Sequence, residues 1–148
     1  MAISFVRRWS SLLAPDQPLS VLVPTVDVAF AGSDSRLLLR TFLVDSGADI
    51  SMAPRQLCDD LGLDWEDGVP IDLKGISPKP ECAVLARVFE IELLVPDIGI
   101  AFFVPICFAD GDASQILGRE GFFDAFRITF DKRRLTTQFE LIEEAEEH

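Results

Sequence analysis

Leu43-Val44-Asp45-Ser46-Gly47-Ala48-Asp49 is the stretch on which the reading of this chain turns. An apolar pair runs into an acid, and Ser-Gly follows at once. Gly47 permits a tight turn with close backbone approach, which presents the Asp45 carboxylate at a groove instead of in a core. Ser46 adds a hydroxyl able to lock the turn to neighbouring backbone. Alone, Asp-Ser-Gly recurs by chance in many turns, so the flanking sequence has to decide what it means.

Upstream, Ser20 to Phe30 carries Val21, Val23, Val26 and Val28 and reads as a strand; Gly32-Ser33-Asp34-Ser35 is a turn, and Arg36 to Val44 is the returning strand. This hairpin delivers Asp45 at a strand end. Downstream, Pro54 opens a short helix through Gln56, Leu57, Cys58, Asp59, Asp60 and Leu61, which Gly62 ends. Val69 to Ile76 and Cys82 to Val95, joined across Ser77-Pro78-Lys79-Pro80, form a second, longer hairpin. Ile98 to Phe108 reads as a strand buried on both faces. Ile116-Leu117-Gly118 is a short apolar strand, Arg119 to Phe126 a short helix, and Arg127 to Asp131 with Leu135 to Leu141 a last hairpin. The pattern predicts an all-β domain over residues 20–141 with one or two short helices. An arm of residues 1–19 precedes it, and an acidic tail of residues 142–148 follows.

A chain of 148 residues that is 49% hydrophobic has the length and apolar content for one domain with a real core, and 12 phenylalanines with no tyrosine argue for aromatic burial. The formal net charge of -12 repels a phosphate backbone, which excludes nucleic acid as a ligand of the whole domain. Part of that charge lies toward the tail, where Glu140, Glu143, Glu144, Glu146 and Glu147 read as a solvated terminus. Cys58, Cys82 and Cys107 form no Cys-x-x-Cys pair, and the sole histidine is His148. That removes a zinc site as well as Ser-His-Asp and Cys-His chemistry. An odd cysteine count favours a reducing compartment, and a cytoplasmic location is the expectation. Asp110-Gly111-Asp112 lacks the ligand pattern of a calcium loop and reads as a solvated turn. Residues 1–13 hold too short an apolar run for a signal segment or a spanning helix, so no membrane segment is expected in this chain, although the chain can also be read as part of a longer one.

Leu43-Val44-Asp45-Ser46-Gly47-Ala48-Asp49 resembles the active-site signature of the retropepsin family of aspartic proteases. Ile116-Leu117-Gly118-Arg119, with Glu120 to Phe126 after it, is similar to that family's hydrophobic-hydrophobic-Gly-Arg segment and C-terminal helix, and Lys74-Gly75-Ile76-Ser77 stands where the family has its flap. The resemblance implies a closed, β-barrel-like fold in which Asp45 is the catalytic carboxylate. It implies that Ser46 and Gly47 complete the catalytic turn, that Ala48 and Gly118 belong to the supporting loop, and that Asp49 and Arg119 form an ion pair bracing it. Lys74, Gly75, Ile76 and Ser77 would contact substrate from the flap. Neither metal nor cofactor is implied. The family often has threonine where this chain has Ser46, and its glycine-rich flap tip is replaced here by a lone Gly75 followed by Pro78 and Pro80.

One such motif cannot work alone, because peptide hydrolysis without metal or covalent intermediate needs one group to take a proton and another to give one. No second Asp-Thr/Ser-Gly occurs in the chain. The expected assembly is therefore a homodimer, with the two Asp45 carboxylates across a two-fold axis and a peptide or protein substrate between the subunits. In viral members of the family the chain termini interleave at the interface, and the arm and glutamate tail here are unlike that pattern. A non-proteolytic dimerisation or peptide-binding module on the same fold is the alternative, and an accidental motif in a structural β protein is a third reading.

Overall fold

The computed structural model describes residues 2–4, 6–10, 19–32, 36–72, 85–111 and 113–142. Its strands in chain order are β1 (Ala2–Ser4), β2 (Val6–Ser10), β3 (Leu19–Val23), β4 (Thr25–Ala31), β5 (Leu37–Val44), β6 (Ser51–Pro54), β7 (Val69–Asp72), β8 (Leu85–Val95), β9 (Ile100–Ala109), β10 (Ile116–Leu117), β11 (Phe126–Asp131) and β12 (Thr136–Leu141). The fold is all-β, and its α-helix, α1 (Arg55–Asp60), is short.

Val26, Val28 and Phe30 of β4 with Phe42 and Val44 of β5 give their hairpin one apolar face, and that face must be covered. Closure of the sheet covers it. The hydrogen-bonded order is β4-β5-β10-β6-β9-β8, and β8 returns to β4 through Ala29 opposite Leu94 and Phe30 opposite Leu93. Six strands thus form a barrel with no free edge, and β7 hangs on the outside of β8. Val28, Phe30, Phe42, Leu93, Val95, Val104, Ile106 and Leu117 fill the interior.

A second layer, the three-stranded sheet β1-β12-β11, is joined to the barrel by aromatic packing. Phe126 and Phe139 meet edge-on at 5.7 Å, and Phe102 of β9 meets Phe126 at 5.4 Å. Phe122, fully buried, sits 5.5 Å from Phe126 and 6.1 Å from Phe139. Offset and edge-on rings of this kind add to the burial of their area, and they fix the smaller sheet against the barrel.

Four local readings of the sequence need correction. Ser20 to Phe30 is two strands, because Pro24 has no N–H for a ladder: β3 folds back on β2 while β4 enters the barrel. Residues 1–19 accordingly supply β1 and β2 as well as part of β3. Ser51–Pro54 is a strand that its sequence does not announce; it exists through parallel pairing with β9 and lies next to β10. Helix α1 starts at Arg55, with Pro54 still extended before it and Gly62 at φ 71 beyond its end. The helical segment Arg119–Phe123 is broken, Glu120 being extended and Gly121 having φ 82, and Phe126 already belongs to β11. Lys74, Gly75, Ile76 and Ser77 lie outside the described residues, as do Cys82 and the tail from residue 143. No helix among the described residues is long and apolar enough to cross a membrane.

Candidate functional site around Asp45

Strand β10 is two residues long, yet it sets the geometry of the site because it lies between β5 and β6. Ile116 and Leu117 run parallel to Leu43 and Val44, and Ile116 is also opposite Met52. Asp45 and Gly118 therefore leave neighbouring strands side by side. The Asp45 amide donates to the Leu117 carbonyl at 3.0 Å, one step beyond the ladder.

The turn after Asp45 is closed by the Ala48 amide, which donates to the Asp45 carbonyl at 3.3 Å. Within it the Gly47 amide donates to Asp45 Oδ1 at 2.9 Å, and so fixes the carboxylate to its own turn. A Cβ on Gly47 would stand 3.2 Å from that oxygen, so glycine is what lets the amide approach. Asp45 is half-buried, and its second oxygen accepts no hydrogen bond among the described residues. Ser46 is exposed and its hydroxyl makes no hydrogen bond there either; the Gly47 amide performs the locking expected of Ser46.

The far side of the loop is stapled to the chain after β10. Arg119 and Glu120 donate their amides to the carbonyls of Ala48 and Asp49, each at 2.9 Å. Gly118 donates to Ser51 Oγ at 2.9 Å, and Ser51 is fully buried. Any Cβ at Gly118 would lie 2.6 Å from the carbonyl carbon and oxygen of Ile50 and 2.9 Å from the Ala48 oxygen. Arg119 and Asp49 form an ion pair, with side chains 54% and 88% exposed. At that exposure the pair contributes little stability by itself, and the backbone staples hold the loop.

Asp45, Ser46, Gly47, Ala48, Asp49, Gly118 and Arg119 are thus gathered in one place from two separate stretches of sequence. Two contributors carry no motif signal. Ser51 receives the Gly118 amide, and Gln115 donates its side-chain amide to the Thr41 carbonyl at 3.0 Å while its carbonyl accepts from Leu43. Both act on backbone groups brought close by the fold, which sequence spacing cannot display.

From this loop an apolar row crosses the outer face of the sheet. Leu43, Ile116, Met52, Cys107, Val88 and Val69 are successive cross-strand neighbours, while the alternate positions Phe42, Val44, Leu117, Ala53, Ile106 and Phe108 face the barrel interior. Burial pushes the Cys107 thiol above its ordinary range. Among the described residues, no group of three or more histidine, cysteine or acidic side chains could hold a metal ion.

No family model matches the chain, and no curated protein matches it. Among solved structures it is similar to a retropepsin-like aspartic protease from Rickettsia conorii, with a TM-score of 0.57 and 17% identity, over 93% of this chain and 98% of that one. At that identity the likeness establishes the retropepsin-like fold.

Proposed function

We propose that the chain is an aspartic endopeptidase whose active unit is a homodimer, with Asp45 of each copy as the catalytic carboxylate. The observation that carries this reading is the state of Asp45. Its Oδ1 is held by the Gly47 amide at 2.9 Å, its other oxygen is unengaged among the described residues, and its turn is clamped to Gly118-Arg119. The fold is one seen in an aspartic protease.

Two such carboxylates sharing one proton bind a water between them, as in aspartic proteases generally, because like charges so close cannot both ionise. The ionised partner takes a proton from the water as it attacks the peptide carbonyl, and the protonated partner gives one to the carbonyl oxygen. Each chain brings one carboxylate, so the second comes from a second copy.

Asp45→Asn keeps shape and removes the proton acceptor. A peptide library incubated at roughly pH 4 to 7 with wild type should show cleavage that the variant lacks, at unchanged thermal midpoint. Normal cleavage by Asp45→Asn refutes the assignment. Sedimentation in parallel refutes the dimer if a strict monomer cleaves.

A further inference from the structure

Open strand edges are a liability in soluble proteins, which normally shorten them, block them with proline or guard them with charge. Among the described residues the barrel sheet and the three-stranded sheet leave such edges at β1, β7 and β11, and the separate ribbon β2-β3 leaves two more. β1 is only Ala2–Ser4, and β7 contains Pro70, which has no N–H to offer. β11 is different. Phe126-Arg127-Ile128-Thr129-Phe130-Asp131 has neither proline nor lysine, alternates apolar and polar residues, and pairs among the described residues with β12 alone.

The sequence of this edge is complementary to itself. A two-fold axis through an antiparallel strand pair opposes residues symmetrically about the residue on the axis. With Thr129 on the axis, Arg127 stands opposite the partner's Asp131 and Ile128 opposite the partner's Phe130, each pair occurring twice. Arg127, Thr129 and Asp131 share one face and Ile128 and Phe130 the other, as such pairing requires. Centring on Ile128 instead would call on Phe126, which is 1% exposed and committed to its own core. Phe130, by contrast, is 38% exposed. The in-chain ion pairs of the two charges are long, Arg127 to Glu140 at 3.5 Å and Arg134 to Asp131 at 3.8 Å, both with exposed arginines, although Asp131 Oδ1 also accepts from the Arg134 amide at 3.0 Å.

The same edge is coupled to the Asp45 loop. Arg119 and Glu120 bond the loop, the segment Arg119–Phe123 carries Phe122 onto Phe126, and β11 begins there. We infer that two copies of the chain join β11 to β11 with Thr129 on the axis, making one sheet in the order β1-β12-β11-β11-β12-β1. Each chain keeps its own three strands together, and no termini interleave. The inference rests on the proposed need for a second Asp45 and names the surface that supplies it.

Opposed Cα atoms in an antiparallel pair lie roughly 4.5 to 5.5 Å apart, within the span of a disulfide. Thr129→Cys, placed in a full-length Cys82→Ser chain, should therefore yield a disulfide-linked dimer under mild oxidation. Gln138→Cys, opposite Thr129 inside the sheet, should not. By sedimentation, Arg127→Asp and Asp131→Arg should each weaken dimerisation about tenfold or more, and their combination should recover it. A chain that dimerises while Thr129→Cys stays uncross-linked and both charge variants behave as wild type overturns the inference and leaves the Asp45 reading intact. A Thr129→Cys cross-link in a chain that cleaves no peptide supports the interface and refutes the protease. A chain that is monomeric at every concentration overturns the inference.

Discussion

Gly118→Ala is the substitution for which the structure makes the most demanding statement. The added methyl would lie 2.6 Å from two backbone atoms of Ile50 and 2.9 Å from a third, the Ala48 oxygen. No flexible side chain is available to yield, so the strand or the loop must move. Overpacking of a filled site costs about 1 to 3 kcal/mol. The same movement pulls the Gly118 amide from Ser51 Oγ, a buried bond of 2.9 Å, and a buried donor left without a partner costs about 1 to 3 kcal/mol more. The sum is about 2 to 6 kcal/mol. With a urea dependence of about 1 to 3 kcal/mol per M, the unfolding midpoint should fall by about 0.7 M or more. Gly47→Ala is the matched control, because its methyl meets only the Asp45 carboxylate oxygen, at 3.2 Å. That oxygen can shift by tenths of an ångström, so stability should change by less than about 1 kcal/mol while peptide cleavage falls about tenfold or more. Equal urea midpoints for wild type and Gly118→Ala would refute the claim that Gly118 is pinned between Ile50 and Ala48. Equal effects of the two alanines on midpoint would refute the distinction between them.

Asp49→Asn should change the unfolding free energy by no more than about 1 kcal/mol, because its pair with Arg119 is largely exposed, and that loss should shrink further in high salt. Thr137→Val should stabilise the chain by about 1 kcal/mol in the same urea assay, since Thr137 Oγ1 is buried with no hydrogen-bond partner among the described residues. Cys58 and Cys107 both have thiols raised above the ordinary value of 9.0 by burial, Cys58 also by the nearby Asp59. The unfolded chain therefore releases these protons first: their contribution is complete below pH 9.0 and is lost as pH rises toward the folded values, so midpoints should fall in alkali and fall less in Cys107→Ala.

Legibility in the sequence followed the reach of each interaction. The β-branched content of Ser20 to Phe30 and the apolar run from Arg36 to Val44 are local, and they foretold the hairpin that ends at Asp45. Gly62 ending α1 is local too. By contrast, β6 is four residues long, ends in proline, and exists because Ser51, Met52, Ala53 and Pro54 align with Ile106, Cys107, Phe108 and Ala109 far along the chain. The arm's strands were illegible for the same reason: Ala2–Ser4 becomes a strand by meeting Thr136, Thr137 and Gln138 at the other end of the chain. The break within Arg119–Phe123 was missed although Gly121 marks it, because apolar spacing from Glu120 to Phe126 fits a helix and only the backbone angles reveal the positive φ. Gly121 has no room to be otherwise, a Cβ there meeting Pro105 at 2.8 Å.

The same distinction explains which site residues a sequence can betray. Gly118 is dictated by backbone approaching backbone, a demand that one residue type alone meets, and Gly47 by a close carboxylate, so both stand out as letters. Ser51 fills a need that a threonine hydroxyl or a buried water could also meet, namely one acceptor for the Gly118 amide, so its letter carries little information. Asp49 and Arg119 stand out as charges, yet at 88% and 54% exposure they brace the loop less than Ser51 does from within. If the exposed pair is weak in one chain, its value lies where water is removed, as it would be when a second copy or a peptide covers the loop. A double-mutant cycle between Asp49→Asn and Arg119→Gln should therefore show a small coupling energy in unfolding and a larger one in peptide cleavage. Equal coupling in both assays would mean that the pair serves the single folded chain and nothing beyond it.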